Sequence, residues 1–195
     1  VRNTLVALAD TEPLMERLFQ YRFQTGEGLK GHSFGNLFIA AMTEITGDFE
    51  QAVRESSKVL AVRGQVLPAT VQPVTLVAEF VDGSRAAGES QVPRVGKPIR
   101  RVSLEPPDVQ PLPDALRAIR EADIIVLGPG SLYTSVLPNL LVPGIADAIR
   151  RSRAMRVYVC NVMTQPGETD GYCASDHVRA LIDHAGPGIL DYAIL

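Results

Sequence analysis

The chain has 195 residues, 46% hydrophobic and 21% charged, with 19 Lys and Arg against 22 Asp and Glu. That is enough apolar material for a globular domain with a sizeable core. A net charge of −3 excludes the global basic field that recruits nucleic acid, and the absence of Trp leaves little for stacking single-stranded bases.

In chain order, residues 1–10 read as a short element. Asp10 or Thr11 is placed to cap a helix that Pro13 starts, with Leu14, Leu18 and Tyr21 on one face. A glycine-rich loop over 25–32 leads into Gly31-His32-Ser33-Phe34-Gly35-Asn36, and a helix follows to Thr46. Gly47 stands where a helix ends, and Asp48 caps the next helix, from Phe49 to about Leu60. Residues 74–81 read as a strand, Asp82-Gly83 as a hairpin turn, and Ala86-Ala87-Gly88 as a weak return strand. A loop covers 93–98. Strands are then expected at 99–104, 124–127, 157–162 and 191–195, with helices at 112–122, 140–151 and 175–185 between them. That alternation predicts βαβ units and a mostly parallel sheet, with the 74–90 hairpin as an antiparallel insertion or edge. No apolar run approaches the ~20 residues that span a bilayer. Cys160 and Cys173 form neither a disulfide framework nor a metal pattern, and are expected as buried free thiols in a reducing cytoplasm.

The most informative segment is the exit of the 124–127 strand. Its apolar run predicts burial on both faces, and it stops at Gly128-Pro129-Gly130. Ser131, Tyr133, Thr134, Ser135 and Asn139 follow closely. Open α/β sheets bind ligands outside the carboxyl ends of their strands, where glycines admit an anion to backbone N–H groups and hydroxyls add neutral hydrogen bonds. Gly130 is expected to be the position where a Cβ would block that approach. The competing reading is a plain strand-ending turn.

Two further clusters stand beside it. His32, Ser33 and Asn36 precede a helix and form either an anion pocket or a helix cap, with Ser33 as N-cap and His32 in solvent. Asn161, Thr164 and Asp170 follow the 157–162 strand, at another carboxyl end. Asn161 and Thr164 suit a base or sugar, and Asp170 a hydroxyl or a metal; alternatively Asp170 and Ser175 cap the next helix. His177 and His184 on that helix read as structural. No P-loop and no Gly-x-Ser-x-Gly elbow are present, and no base for Ser131 is evident, so catalytic residues stay unassigned.

The motifs Gly31-His-Ser-Phe-Gly-Asn36, Gly128-Pro-Gly-Ser-Leu-Tyr-Thr-Ser-Val-Leu-Pro-Asn139 and Asn161-Val-Met-Thr-Gln-Pro-Gly-Glu-Thr-Asp-Gly171 resemble those of the bacterial gluconeogenesis factors. These are related to the 2-phospho-L-lactate transferases, which move a phospholactyl group from a nucleotide diphosphate carrier to a deazaflavin precursor. The resemblance implies a Rossmann-like three-layer α/β fold. It also implies cytoplasmic binding of a UDP-sugar such as UDP-N-acetylglucosamine, with a role in cell shape and wall synthesis during gluconeogenic growth. The family opens with a Gly-Gly-Gly-Thr-Gly turn that this sequence lacks, so residues 1–195 are expected to be one α/β domain, incomplete at both ends. The transferase branch carries Ser-Asn-Pro where this chain has Gly-Ser-Leu-Tyr-Thr-Ser, which points to binding without turnover. In that reading the 128–139 and 31–36 loops line one crevice. Ser131, Thr134, Ser135 and backbone amides meet the diphosphate, and Asn139 and Asn161 hold sugar or base. The alternative is a transferase in which Asp10 or Asp170, with a divalent metal such as Mg2+, neutralises a diphosphate. Expected partners are a UDP-sugar or other nucleotide diphosphate and a second copy of the chain, without nucleic acid or membrane insertion.

Overall fold

The computed structural model describes Leu5 and residues 13–61 and 64–195. Asp10 and Thr11, and the short element expected over 1–10 apart from Leu5, lie outside the described residues. The chain divides into two compact units, residues 1–71 and 72–195.

The first unit is helical: α1 (Pro13–Gln20), α2 (Phe34–Thr46) and α3 (Phe49–Val59). Its core joins Leu5, Phe19, Ile39 and Leu60. The Phe19 ring meets Phe34 and Phe38 edge-on, with centroids 5.5 and 5.0 Å away. Phe19 is the α1 side chain that goes inside, while Leu14, Leu18 and Tyr21 on the face read from the sequence are exposed. The helix ends follow their residues. Ser33 Oγ accepts the Asn36 N–H, Gly47 stops α2 at φ +71°, and Asp48 Oδ2 accepts the Gln51 N–H at 2.7 Å.

The second unit holds two three-stranded sheets. Strands β1 (Thr75–Phe80), β2 (Arg85–Ala87) and β3 (Ile99–Glu105) form an antiparallel sheet in the order β2-β1-β3. Strands β4 (Ile124–Leu127), β5 (Met155–Val159) and β6 (Tyr192–Ile194) form a parallel sheet in that order. The α/β class with a parallel sheet and a small antiparallel one is as expected. The placement of the Ile99 strand is not: it pairs with β1 instead of opening the parallel series. Alternation of strand and helix along the chain does not say which sheet a strand joins.

The helices are α4 (Pro113–Glu121), α5 (Leu137–Leu141), α6 (Ile145–Arg151) and α7 (Ala174–Ala185). The single helix expected over 140–151 is broken in two, because Pro143 lacks a donor and Gly144 takes φ +86°. Helix α7 is capped by Cys173 and not by Ser175: the Cys173 N–H donates to Asp176 Oδ2 at 2.9 Å. Cys173 is exposed and Cys160 half-buried, so the thiols are free but not both buried. At the far side of the parallel sheet, Arg156 makes a two-pronged ion pair with Asp191, tying the start of β5 to the start of β6.

One face of the parallel sheet is largely exposed. Ile124 and Val126 are each 54% exposed, Met155 pairs with Ile124, Tyr192 lies in the Val126–Val157 row and Ile194 pairs with Val159, while Val157 on the same face is buried. The expectation that the 124–127 strand is buried on both faces is therefore corrected: its apolar run is buried on the Leu127 side only. Among the described residues no single helix is long and apolar enough to cross a membrane.

Candidate functional site

The polypeptide leaves β4 at Leu127 and turns at Gly128, where φ is +82°. A Cβ there would lie 2.8 Å from the Val159 carbonyl oxygen of the neighbouring strand, so this position admits only glycine without a backbone shift. Gly130, the expected point of close approach, is not in the left-handed region. A Cβ at Gly130 would meet Ser135 Cβ at 3.6 Å and Val136 Cγ2 at 3.7 Å, which are ordinary contacts. The steric demand for glycine in this turn therefore belongs to Gly128.

Residues Leu132–Val136 then form one wide π turn before α5. The N–H groups of Ser135 and Val136 both donate to the Ser131 carbonyl at 2.9 Å. Such π turns are rare and concentrate at functional sites. Leu132, Tyr133 and Val136 are buried and anchor the turn. Ser131 is half-buried and Ser135 exposed, and among the described residues neither hydroxyl makes a hydrogen bond. Asn139, also exposed, donates from Nδ2 to the Ser135 carbonyl at 2.7 Å.

The segment after β5 braces this loop. Asn161 reads Gly130 on both sides: its Oδ1 accepts the Gly130 N–H at 3.2 Å, and its Nδ2 donates to the Gly130 carbonyl at 2.8 Å. Glu168, 3% exposed, lies beneath the π turn. Its Oε2 accepts the N–H groups of Tyr133 and Thr134 at 3.2 and 3.3 Å. Its Oε1 accepts the Thr134 hydroxyl at 2.7 Å and Gln165 Nε2 at 2.8 Å. A buried carboxylate is costly unless it is fully hydrogen-bonded, and here four donors surround it. Asp170 Oδ2 accepts the Gly167 N–H at 2.6 Å and so closes the same turn. Gly167 lies against another backbone: a Cβ there would sit 1.9 Å from the Pro93 carbonyl oxygen.

Behind the loop stands a polar aromatic array. The Tyr133 hydroxyl shares a 2.7 Å hydrogen bond with that of Tyr172. The Tyr133 ring meets His184 edge-on, and Tyr172 meets His177 in the same manner. Burial pushes the Tyr133 phenol well above its ordinary range, and the Tyr172 bond with the Asp183 and Glu168 charges adds to this. His184 links α7 to the outer edge of β3: its Nε2 accepts the Val102 N–H at 3.1 Å. That leaves Nδ1 as the protonated nitrogen, donating to the Ala180 carbonyl at 2.7 Å. Burial holds the His184 pKa below its ordinary value. His177 is also buried, with Nδ1 on the Cys173 carbonyl and Nε2 without a partner among the described residues.

The sequence-chosen residues therefore separate by what they touch. Gly128, Gly130, Ser131, Tyr133, Thr134, Ser135, Asn139 and Asn161 are brought together around one turn, with Asp170 bracing its underside through the Glu168 segment. Thr164 is exposed nearby in sequence, and its side chain makes no hydrogen bond among the described residues. His32, Ser33 and Asn36 belong to the first unit, where Ser33 is buried as a cap and His32 and Asn36 are exposed. Glu168, Gln165 and Tyr172 had no assigned role in the sequence, because their partners lie 30 or more residues away for the first and last. Among the described residues, no three His, Cys, Asp or Glu side chains converge as metal ligands. No His or carboxylate among them accepts from Ser131 or Ser135 Oγ, so no activated hydroxyl nucleophile is formed.

A family model described as 2-phospho-L-lactate transferase CofD matches residues 1–195. The chain is 62% identical over 191 residues to a gluconeogenesis factor of Halalkalibacterium halodurans, covering 98% of this chain and 59% of that protein. It is 58% identical over 191 residues to the gluconeogenesis factor of Bacillus subtilis, covering 98% and 60%. A crystal structure of a Bacillus halodurans protein superposes with a TM-score of 0.94 at 61% identity, over 98% of this chain and 62% of that one. The chain thus spans about three-fifths of the length of these relatives.

Proposed function

Since the chain belongs to the CofD family and its curated relatives are named gluconeogenesis factors, we propose that it is part of a cytoplasmic nucleotide-sugar-binding regulator. The ligand class is UDP-N-acetylglucosamine or a close analogue, and the role is support of cell shape and wall synthesis during gluconeogenic growth. The observation that carries the reading is the 128–139 turn. It stands at the carboxyl end of a parallel strand, is held in one conformation by Asn161 and Glu168, and offers the Ser131 and Ser135 hydroxyls without internal partners among the described residues. A rigid turn with neutral donors and no nucleophile–base pair suits binding more than turnover. Calorimetric titration of the full-length protein with UDP-N-acetylglucosamine and UDP-glucose tests it. Saturable binding is expected, and no heat from either ligand at millimolar concentration contradicts it.

The family description favours a second reading, transfer of a phosphorus-linked group from a nucleotide diphosphate donor. Asp170, one of its two candidate acids, accepts a backbone N–H from Gly167, and the described residues do not fit a metal site. Mass spectrometry after incubation with a phospholactyl-nucleotide donor and a deazaflavin acceptor separates the two: product formation overturns the binder.

A further inference from the structure

The tip that follows β5 holds groups that the fold itself does not use. Val162 and Met163 are 97% and 79% exposed, more than any other large apolar side chain among the described residues. Removing apolar side chains from water is favourable, so two neighbours left in solvent point to something that covers them. Thr164 is exposed as well, and no side-chain or backbone group of residues 162–164 makes a hydrogen bond among the described residues. The tip is nonetheless fastened at both ends. Before it, the Asn161 side chain holds both polar groups of Gly130. After it, the Gln165 N–H donates to Thr169 Oγ1 and Gln165 Nε2 donates to Glu168 Oε1, each at 2.8 Å. These anchors hold three residues with unspent apolar and polar groups beside the 128–139 turn.

The three parts of a nucleotide-sugar need different surroundings. A diphosphate needs cations or converging N–H groups. Residues 160–171 contain no Lys or Arg and carry two acids, Glu168 and Asp170. The turn, by contrast, leaves the Gly128, Ser131 and Leu132 N–H groups without an acceptor among the described residues. A sugar has many hydroxyls that need polar partners once buried, and residues 162–164 offer only one polar side chain, Thr164. A pyrimidine base has two apolar faces and a polar edge of alternating donors and acceptors. The faces suit Val162 and Met163, whose thioether makes favourable contacts with flat rings. The edge suits the open backbone groups and the Thr164 hydroxyl. We propose that the 162–164 tip receives the uracil base of the nucleotide-sugar, with Val162 and Met163 supplying apolar contact to the ring and Thr164 and the 162–164 backbone reading its edge. This rests on the nucleotide-sugar reading above. It moves the base contact from the Asn161 side chain, which Gly130 engages, to the three residues after it.

The test is calorimetry on the full-length protein with three probes: UDP-N-acetylglucosamine, UDP, and ribose 5-diphosphate, which is UDP without its base. The variant is Val162→Ser combined with Met163→Ser. These side chains are almost wholly in solvent, so it is expected to melt within about 2 °C of wild type. Its affinity for UDP-N-acetylglucosamine and for UDP falls about tenfold, in equal proportion, while that for ribose 5-diphosphate stays within about twofold. A loss confined to UDP-N-acetylglucosamine overturns the proposal, because the tip then meets the sugar. An equal loss for all three overturns it too, because the tip then meets the ribose or the diphosphate. Unchanged affinity for every probe also overturns it. If the double variant does not fold, Thr164→Val carries the same test, with about a threefold loss confined to the two uracil-bearing probes. A wild-type protein that binds none of the three contradicts the nucleotide-sugar reading and this inference with it. Wild-type binding with any other pattern of losses contradicts the inference alone.

Discussion

Single residues around the candidate turn have unequal steric freedom, and glycine substitutions expose it. Gly128 has φ +82° and a backbone oxygen 2.8 Å from any Cβ, whereas Gly130 has neither restriction. Gly130→Ala is expected to change stability by no more than about 1 kcal/mol. Gly128→Ala should cost roughly 2 kcal/mol, the left-handed penalty plus the movement of a strand carbonyl. Gly167→Ala is the most severe, because its Cβ would overlap the Pro93 carbonyl oxygen at 1.9 Å, and a loss of roughly 3 kcal/mol or more is expected. Urea unfolding of the three variants checks the order; a Gly130→Ala variant weaker than Gly128→Ala would refute it. The glycine-rich turn was legible in the sequence as a turn. Which glycine it needs was not, since that depends on Val159 in the adjacent strand.

Between elements, His184 is the fixed link from α7 to β3, and it makes stability depend on pH. Its folded pKa lies below the ordinary 6.5, first because burial disfavours the charged ring, with Arg101 adding to this and the Ala180 bond and Asp183 opposing it. Above about pH 6.5 the ring is neutral in both states and its contribution is complete. As pH falls below that value the unfolded ring gains a proton that the folded ring resists, and stability declines until the folded pKa is passed. His184→Gln keeps an acceptor for the Val102 N–H but does not titrate. Its stability deficit against wild type is therefore expected to shrink between about pH 7.5 and 5.5 in urea unfolding. Parallel profiles would contradict the assignment. The helix caps at Ser33, Gly47 and Asp48 were readable from local residue types because a cap bonds within four residues. The α7 cap falls at Cys173, not at the alternative Ser175, because Cys173 and Asp176 satisfy each other. The break at Pro143-Gly144 carried a signal in both residues that the apolar periodicity on either side obscured.

At the scale of the molecule, the α/β class came from the alternation of apolar strands with amphipathic helices, and it holds. The division of strands between two sheets did not follow from that alternation, because β3 pairs with β1 through contacts that no local pattern encodes. The candidate site is likewise half legible. The 128–139 and 161–170 segments stand out by composition, but the Glu168 carboxylate beneath the turn becomes visible only when residues 35 apart meet. The exposed Ile124, Val126, Met155, Tyr192 and Ile194 on one face of the parallel sheet show the same limit: an apolar run reports two apolar faces, not what covers each. The proposed function requires that the 128–139 turn contact the nucleotide-sugar. Backbone amide shifts of the isotope-labelled full-length protein, followed by NMR during titration with UDP-N-acetylglucosamine, test it most directly. Saturable shifts at Ser131, Ser135 and Asn139 are predicted. Saturable shifts elsewhere, with residues 128–139 unmoved, would contradict it.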